Sequence, residues 1–199
     1  MDRKPQQSSG TGRLHITPPQ IVGPFYPLAE HPDLAGDLAG SSRGGAEARG
    51  QLLYVMGRVL NRSGEAVAGA RVEVWQANAD GKYCHPSDVN PAPLDPNFKG
   101  FALLRTDAAG RYQLRTIKPG RYPTVEGDIR PPHIHFAVDG RFDRLVTQLY
   151  FAGEPENQTD RWLNAAPRPE QLIAAIERAP THFEPRAHVA RFDIVLLSG

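Results

Sequence analysis

Glycine and proline break this 199-residue chain at short intervals, and that punctuation limits its fold more than any other feature. The 19 glycines and 19 prolines make up about a fifth of the sequence and are spread among short apolar runs, not gathered into one low-complexity block. Such spacing suits a β-rich fold with many turns and long, shaped loops. The length is that of one domain able to bury a substantial core.

Strand patterns begin at Gln51. Residues 52–60 and 70–76 flank the turn Asn61-Arg62-Ser63-Gly64-Glu65. In the second run Val72 and Val74 share a face with Ala70 and Gln76, and Arg71, Glu73 and Trp75 share the other. Residues 101–106 and 111–116 form a further hairpin across Asp107-Ala108-Ala109-Gly110. Strands follow from His133, over 145–151 and over 190–197. The spacing of Gln171, Leu172, Ile173 and Ile176 predicts one minor helix over 170–178, stopped before Pro180. Some eight short strands and one helix indicate an all-β fold, an antiparallel β-sandwich with long functional loops.

The chain divides into a flexible N-terminal tail (1–15) and a single sandwich domain (16–199). That domain comprises an N-terminal arm, 16–50, and a core, 51–199. Within the arm, residues 17–27 are apolar but too rich in proline for a central strand, so they are expected to lie extended across this subunit's core or a neighbour's. Residues 35–50, rich in Gly, Ala and Ser, read as a surface loop.

Charge is nearly balanced, 23 basic against 22 acidic residues, which gives no reason to expect nucleic acid or an anionic membrane as partner. Cys84 is the only cysteine, so no intrachain disulfide forms. The polar N-terminus lacks an apolar segment of signal-peptide length, and no run is long enough to span a membrane. A cytoplasmic protein is the default expectation.

Two loops exceed the usual length. Residues 77–99 carry Tyr83, and 117–132 carry Tyr122 and deliver the chain to Arg130-Pro131-Pro132-His133-Ile134-His135-Phe136. Residues i and i+2 of a strand share a face, roughly 6.5–7 Å apart along the chain. His133 and His135 can therefore converge on one metal ion, which neutral imidazole binds well near pH 7. Two half-buried histidines bonded to carbonyls satisfy the same pattern. Spacing alone does not single out Tyr83 and Tyr122 among six tyrosines.

Five blocks in order narrow the choice. They are residues 75–83 (Trp75-Gln76-Ala77-Asn78-Ala79-Asp80-Gly81-Lys82-Tyr83), 91–98, 115–123 (ending Gly120-Arg121-Tyr122-Pro123), 130–136 and 147–151 (Thr147-Gln148-Leu149-Tyr150-Phe151). Together they resemble the intradiol ring-cleavage dioxygenases, and most nearly the iron-bearing subunit of the protocatechuate-cleaving branch. The resemblance implies that Tyr83, Tyr122, His133 and His135 hold a non-haem Fe(III). It also implies that Arg130 and Gln148 stand beside the substrate ring and that Tyr122 accepts a proton. Two hard phenolates offset the charge of Fe(III), and no carboxylate lies within 133–135 to build the two-histidine, one-carboxylate site of Fe(II) oxygenases. The implied reaction opens a catechol between its hydroxyls with O2, giving a cis,cis-muconate, with a protocatechuate-like substrate favoured.

Departures from the pattern bear on specificity and assembly. Thr124 follows Tyr122-Pro123 where the protocatechuate branch has a tryptophan, and the loop before Arg130 is shorter. Residues 17–26 resemble the N-terminal segment of that branch's iron-free partner chain. One chain with both features suggests a homo-oligomer, with a homologous iron-free partner chain as the other arrangement. The helical N-terminal domain of the longer catechol and hydroxyquinol enzymes has no counterpart in the sequence. Cys84 reads as a bystander beside Tyr83. Two rivals stand against the enzyme, a non-catalytic, transthyretin-like binding module and a zinc hydrolase using the histidine pair.

Overall fold

The computed structural model describes residues 12–28, 36–40 and 46–199. Most of the tail lies outside the described residues, as does part of the arm.

Two sheets pack face to face. In the first, β1 (Leu52–Leu60) pairs antiparallel with β4 (Arg111–Ile117) on one side. On its other side it pairs parallel with β11 (His188–Arg191) and then β12 (Ile194–Val195), and β10 (Ile176–Arg178) flanks β11. The second sheet runs β3 (Phe101–Arg105), β2 (Arg71–Gln76), β7 (His133–Asp139), β8 (Arg144–Phe151) and β9 (Ile173–Ala174). A ribbon of β5 (Tyr122–Pro123) and β6 (Ile129–Arg130) stands at one end. The antiparallel sandwich expected from the sequence is the architecture found, with three parallel pairings added at its edges by the C-terminal segments.

The predicted helix over 170–178 is not there. A 3-10 turn, Pro169–Leu172, leads into β9 and then β10, and the short helix α1 lies earlier, at Arg161–Asn164. Leu172 and Ala174 bury against the core. The β-branched Ile173 and Ile176 suit the two sheet edges that this segment fills. The predicted final strand is likewise two pieces, parted at Phe192 and Asp193.

Alternation puts the two faces of the second sheet to different uses. Val72, Val74, Ile134, Phe136, Val138 and Leu149 point inward, against Leu53, Val55 and Leu114 of the first sheet. Trp75 and Ala137 lie on the opposite face in a second cluster with Tyr83 and Tyr122. Phe25 and Tyr26 of the arm pack on that cluster from outside.

The arm crosses its own subunit. The Gln20 amide donates to the Val146 carbonyl at 2.8 Å, and Thr147 Oγ1 donates to Pro18 at 2.8 Å. Leu38 and Ala39, in the predicted surface loop, are instead buried beside β4, where the Leu38 amide donates to the Arg115 carbonyl at 2.8 Å. Among the described residues no helix is long and apolar enough to cross a membrane.

Candidate metal centre

His133 and His135 occupy the outer face of β7, opposite Tyr150 and Gln148 of β8 and, for His135, opposite Trp75 of β2. Both rings are buried, at 1% and 2% exposure. The Trp75 indole stacks on the His135 ring, with centroids 4.8 Å apart and planes 12° off parallel. Nδ1 of His133 lies 2.7 Å from the Pro131 carbonyl, which can only accept. That contact places the proton on Nδ1 and leaves Nε2 as a bare lone pair.

Tyr122 pairs with Arg130 in the β5–β6 ribbon, so one short hairpin delivers both. Tyr122 Oη is 3.4 Å from His133 Nε2. Tyr83 comes from the long loop after β2, which is fixed by polar contacts of its own. Asn78 Oδ1 accepts from the Asp80 and Lys82 amides at 2.9 Å each, and Asp88 accepts from the Tyr83 amide at 2.7 Å. Gly81 lets this loop touch the Tyr122 hairpin. Its φ is +79°, and a Cβ there would stand 2.2 Å from the Arg121 carbonyl oxygen. The two tyrosine rings meet edge to face at 5.4 Å.

Three observations fit a cation among these groups. Nε2 of His133 and Nε2 of His135 are 3.2 Å apart. If His135 carries its proton on Nδ1, two bare lone pairs oppose each other. If it carries the proton on Nε2, that N–H donates to His133 Nε2 and the buried Nδ1 is left without a partner. Either tautomer leaves a conflict, opposed lone pairs in the first and an unpartnered buried nitrogen in the second. A cation bound by both Nε2 atoms, with His135 protonated on Nδ1, removes the first. The third observation is Tyr83 Oη, buried with no hydrogen-bond partner, a costly state for a hydroxyl.

Electrostatics agree with that donor set. Burial, and then the charge of Arg130, holds both imidazoles well below their ordinary range, so they are neutral donors. Burial raises the Tyr83 phenol well above its ordinary value, and raises Tyr122 against the pull of Arg130. These phenols ionise readily only beside a cation. Among the described residues no three His, Cys, Asp or Glu side chains gather to hold a metal; the groups that meet here are two phenols and two imidazoles. That hard, anionic oxygen-rich set suits Fe(III) better than zinc.

Arg130 is 3% exposed and nearly saturated. Its Nε donates to Asp160 at 2.9 Å, its Nη2 to Gln148 Oε1 at 3.1 Å and to Tyr150 Oη at 2.8 Å. Nη1 points to His133 Nε2 at 3.2 Å. The Trp162 ring lies 4.3 Å from the guanidinium carbon. Gln148 uses its amide nitrogen on the Ile21 carbonyl at 2.9 Å, so it braces Arg130 and the arm. A cavity of about 360 Å³ opens onto Tyr122 and Arg130, walled by Ile21, Phe25, Val89 and Trp162.

All six residues singled out from the sequence thus meet at one end of the second sheet. Sequence reasoning missed Asp160, Tyr150, Trp162 and the arm's Ile21 and Phe25. Tyr150 stands in one of the five blocks, two residues from Gln148, and its alternation with Gln148 is a usable signal. Cys84 is exposed, and His85 accepts from the Ser87 amide at 3.1 Å.

A buried two-phenol, two-imidazole cluster on a β-sandwich, opening to a mostly apolar cavity, is a donor set that fits a non-haem metal site. Residues 21–198 match the Dioxygenase family. The chain belongs to the intradiol ring-cleavage dioxygenases, a family of oxidoreductases that use non-haem iron. It is 42% identical to the protocatechuate 3,4-dioxygenase beta chain of Burkholderia cepacia, over 87% of this chain and 76% of that one. It is 30% identical to the hydroxyquinol 1,2-dioxygenase of Rhizobium sp. (strain MTP-10005), over 79% of this chain but only 54% of that relative. Among solved structures, the dioxygenase domain of a carbohydrate-binding fusion protein from Streptomyces sp. SirexAA-E superimposes with a TM-score of 0.70 at 29% identity. That match covers 93% of this chain and all of that domain.

Proposed function

We propose that this chain opens a catecholic ring between its two hydroxyls with O2, giving a cis,cis-muconate-type product, and that Tyr83, Tyr122, His133 and His135 hold the iron. The observation that carries this reading is the pair of Nε2 atoms 3.2 Å apart beside an unpaired, buried Tyr83 hydroxyl. Bound there, ferric iron would draw electron density from a catecholate and open its ring carbons to dioxygen.

The chain's own side chains do the rest. Tyr122 lines the cavity with its Oη beside His133, and the burial that raises its proton affinity makes its phenolate a strong base for a catechol proton. Arg130 lines the same space with Nη1 beside His133, and its fixed charge stabilises the electron-rich ring in a dry setting. Gln148 and Tyr150 hold that guanidinium in place. Ile21, Phe25 and Trp162 exclude water from the ring.

A protocatechuate-like substrate is favoured by the 42% relationship to the Burkholderia beta chain. The same relationship supports an oligomer, either of identical chains or with a homologous iron-free partner. Oxygen uptake across protocatechuate, catechol, hydroxyquinol and substituted catechols tests the reading. We expect uptake with muconate-type products alone; a yellow semialdehyde, or no uptake at all, contradicts it. The binding-module alternative predicts retention of catechols without oxygen consumption.

A further inference from the structure

Four charged side chains line the cavity: Asp88, Glu126, Arg130 and Arg161. Two of them are committed elsewhere. Asp88 accepts from the Tyr83 and Asn90 amides at 2.7 and 2.8 Å, and Arg130 is locked to the buried Asp160. The other two form a pair at the mouth. Arg161 Nη2 meets Glu126 Oε2 at 2.7 Å, with the side chains 54% and 56% exposed, so the pair is weakly held and easily exchanged.

Arg161 is nevertheless well placed. It begins α1, and its guanidinium carbon lies 4.3 Å from the Trp162 ring, the same distance at which Arg130 meets that ring. The two guanidinium carbons are therefore separated by at most twice that length. That separation is short enough for both guanidiniums to reach one substituted benzene ring from beside it. Glu126, in contrast, sits in the turn that joins β5 to β6, closed by the Gly127 amide on the Thr124 carbonyl at 3.0 Å. Thr124 is the position where the protocatechuate pattern carries a tryptophan, and here Trp162 supplies an aromatic wall from a different element.

We propose that Arg161 recognises an anionic ring substituent, a carboxylate para to one hydroxyl, and that Glu126 competes with it for that guanidinium. The assignment rests on the reading that a catecholic ring occupies the cavity. Arg130 then acts beside the reacting carbons, and Arg161 acts on the substituent at the mouth of the cavity. A substrate carboxylate exchanges with Glu126, and Arg161 keeps its stacking on Trp162 throughout.

Calorimetric titration of the iron-loaded protein with 4-hydroxybenzoate and with phenol tests this without turnover. Arg161→Gln should lose about tenfold more affinity for 4-hydroxybenzoate than for phenol, the scale of one charge-assisted contact. Glu126→Gln should move the other way and tighten 4-hydroxybenzoate about threefold, the scale of an exposed pair. A merely structural brace between turn and helix predicts that both variants weaken both ligands alike, and that result overturns the proposal. So does a wild-type protein that prefers phenol. Oxygen uptake with unsubstituted catechol is read in parallel. Its absence would defeat ring cleavage, while the opposed signs of the two variants still decide Arg161.

Discussion

Arg130 and Asp160 show how costly the residues around the site are to change. Both are almost fully buried, joined through Nε at 2.9 Å and Nη2 at 3.3 Å. Asp160 also caps α1 by accepting from the Leu163 amide at 2.8 Å. Removing one charge of such a pair strands the other in a dry setting. Asp160→Asn should therefore destabilise the protein by about 3–5 kcal/mol, read as a lower urea midpoint at constant slope. A loss under about 1 kcal/mol would place the pair in the class of exposed bridges. His133 and His135 are legible in the sequence because strand alternation alone puts them on one face. Tyr83 and Tyr122 are legible only through the ordered blocks around them, since a lone loop tyrosine carries no such signal. Asp160 and Trp162 are not legible, because each gains its meaning from Arg130, some thirty residues away, through contacts that no local pattern encodes.

Elements are most legible where alternation runs long. The strands around Val72, Ile134 and Leu149 are found where the apolar pattern places them. The segment 170–178 misleads because Leu172, Ile173 and Ile176 are compatible with either a helix or two short edge strands. Sheet edges left open by β8 and β11 decide the matter, and a sequence does not display its open edges. A similar long-range cause splits the last strand. The Phe192 amide donates to the Met56 carbonyl at 2.9 Å, while Asp193 accepts from the Arg58 amide at 2.8 Å. Between them Gly57 lets the Phe192 carbonyl come so close that a Cβ would stand 1.8 Å from its oxygen. That carbonyl also accepts from Tyr112 Oη at 2.5 Å, so the contact is held from both sides. Gly57→Ala should force β11 and β12 off β1 and cost about 1–3 kcal/mol, as overpacking does. Hydrogen exchange should show the loss first at the amides of 188–195; a uniform change across the protein would argue against this local cause.

At the scale of the whole molecule, one sheet serves two purposes. Its inner face closes the core with β1 and β4, and its outer face carries the cluster. The arm then seals that outer face, with the Phe25 ring tilted against Tyr83, centroids 4.6 Å apart, and the Ile21 carbonyl receiving Gln148. Whether the arm crosses its own core or a neighbour's is open in the sequence, because an extended proline-rich segment carries no address. It lies across its own, so the groups argued to bind iron and ring are all supplied within one chain. This arrangement makes the metal the direct test. Protein stripped with a chelator and reloaded with ferric iron should bind about one ion per chain and turn red-brown through phenolate-to-iron charge transfer. Tyr83→Phe and Tyr122→Phe should each shift and weaken that band. A colourless ferric protein, or a band indifferent to both substitutions, would contradict a centre built from these two phenols and two imidazoles.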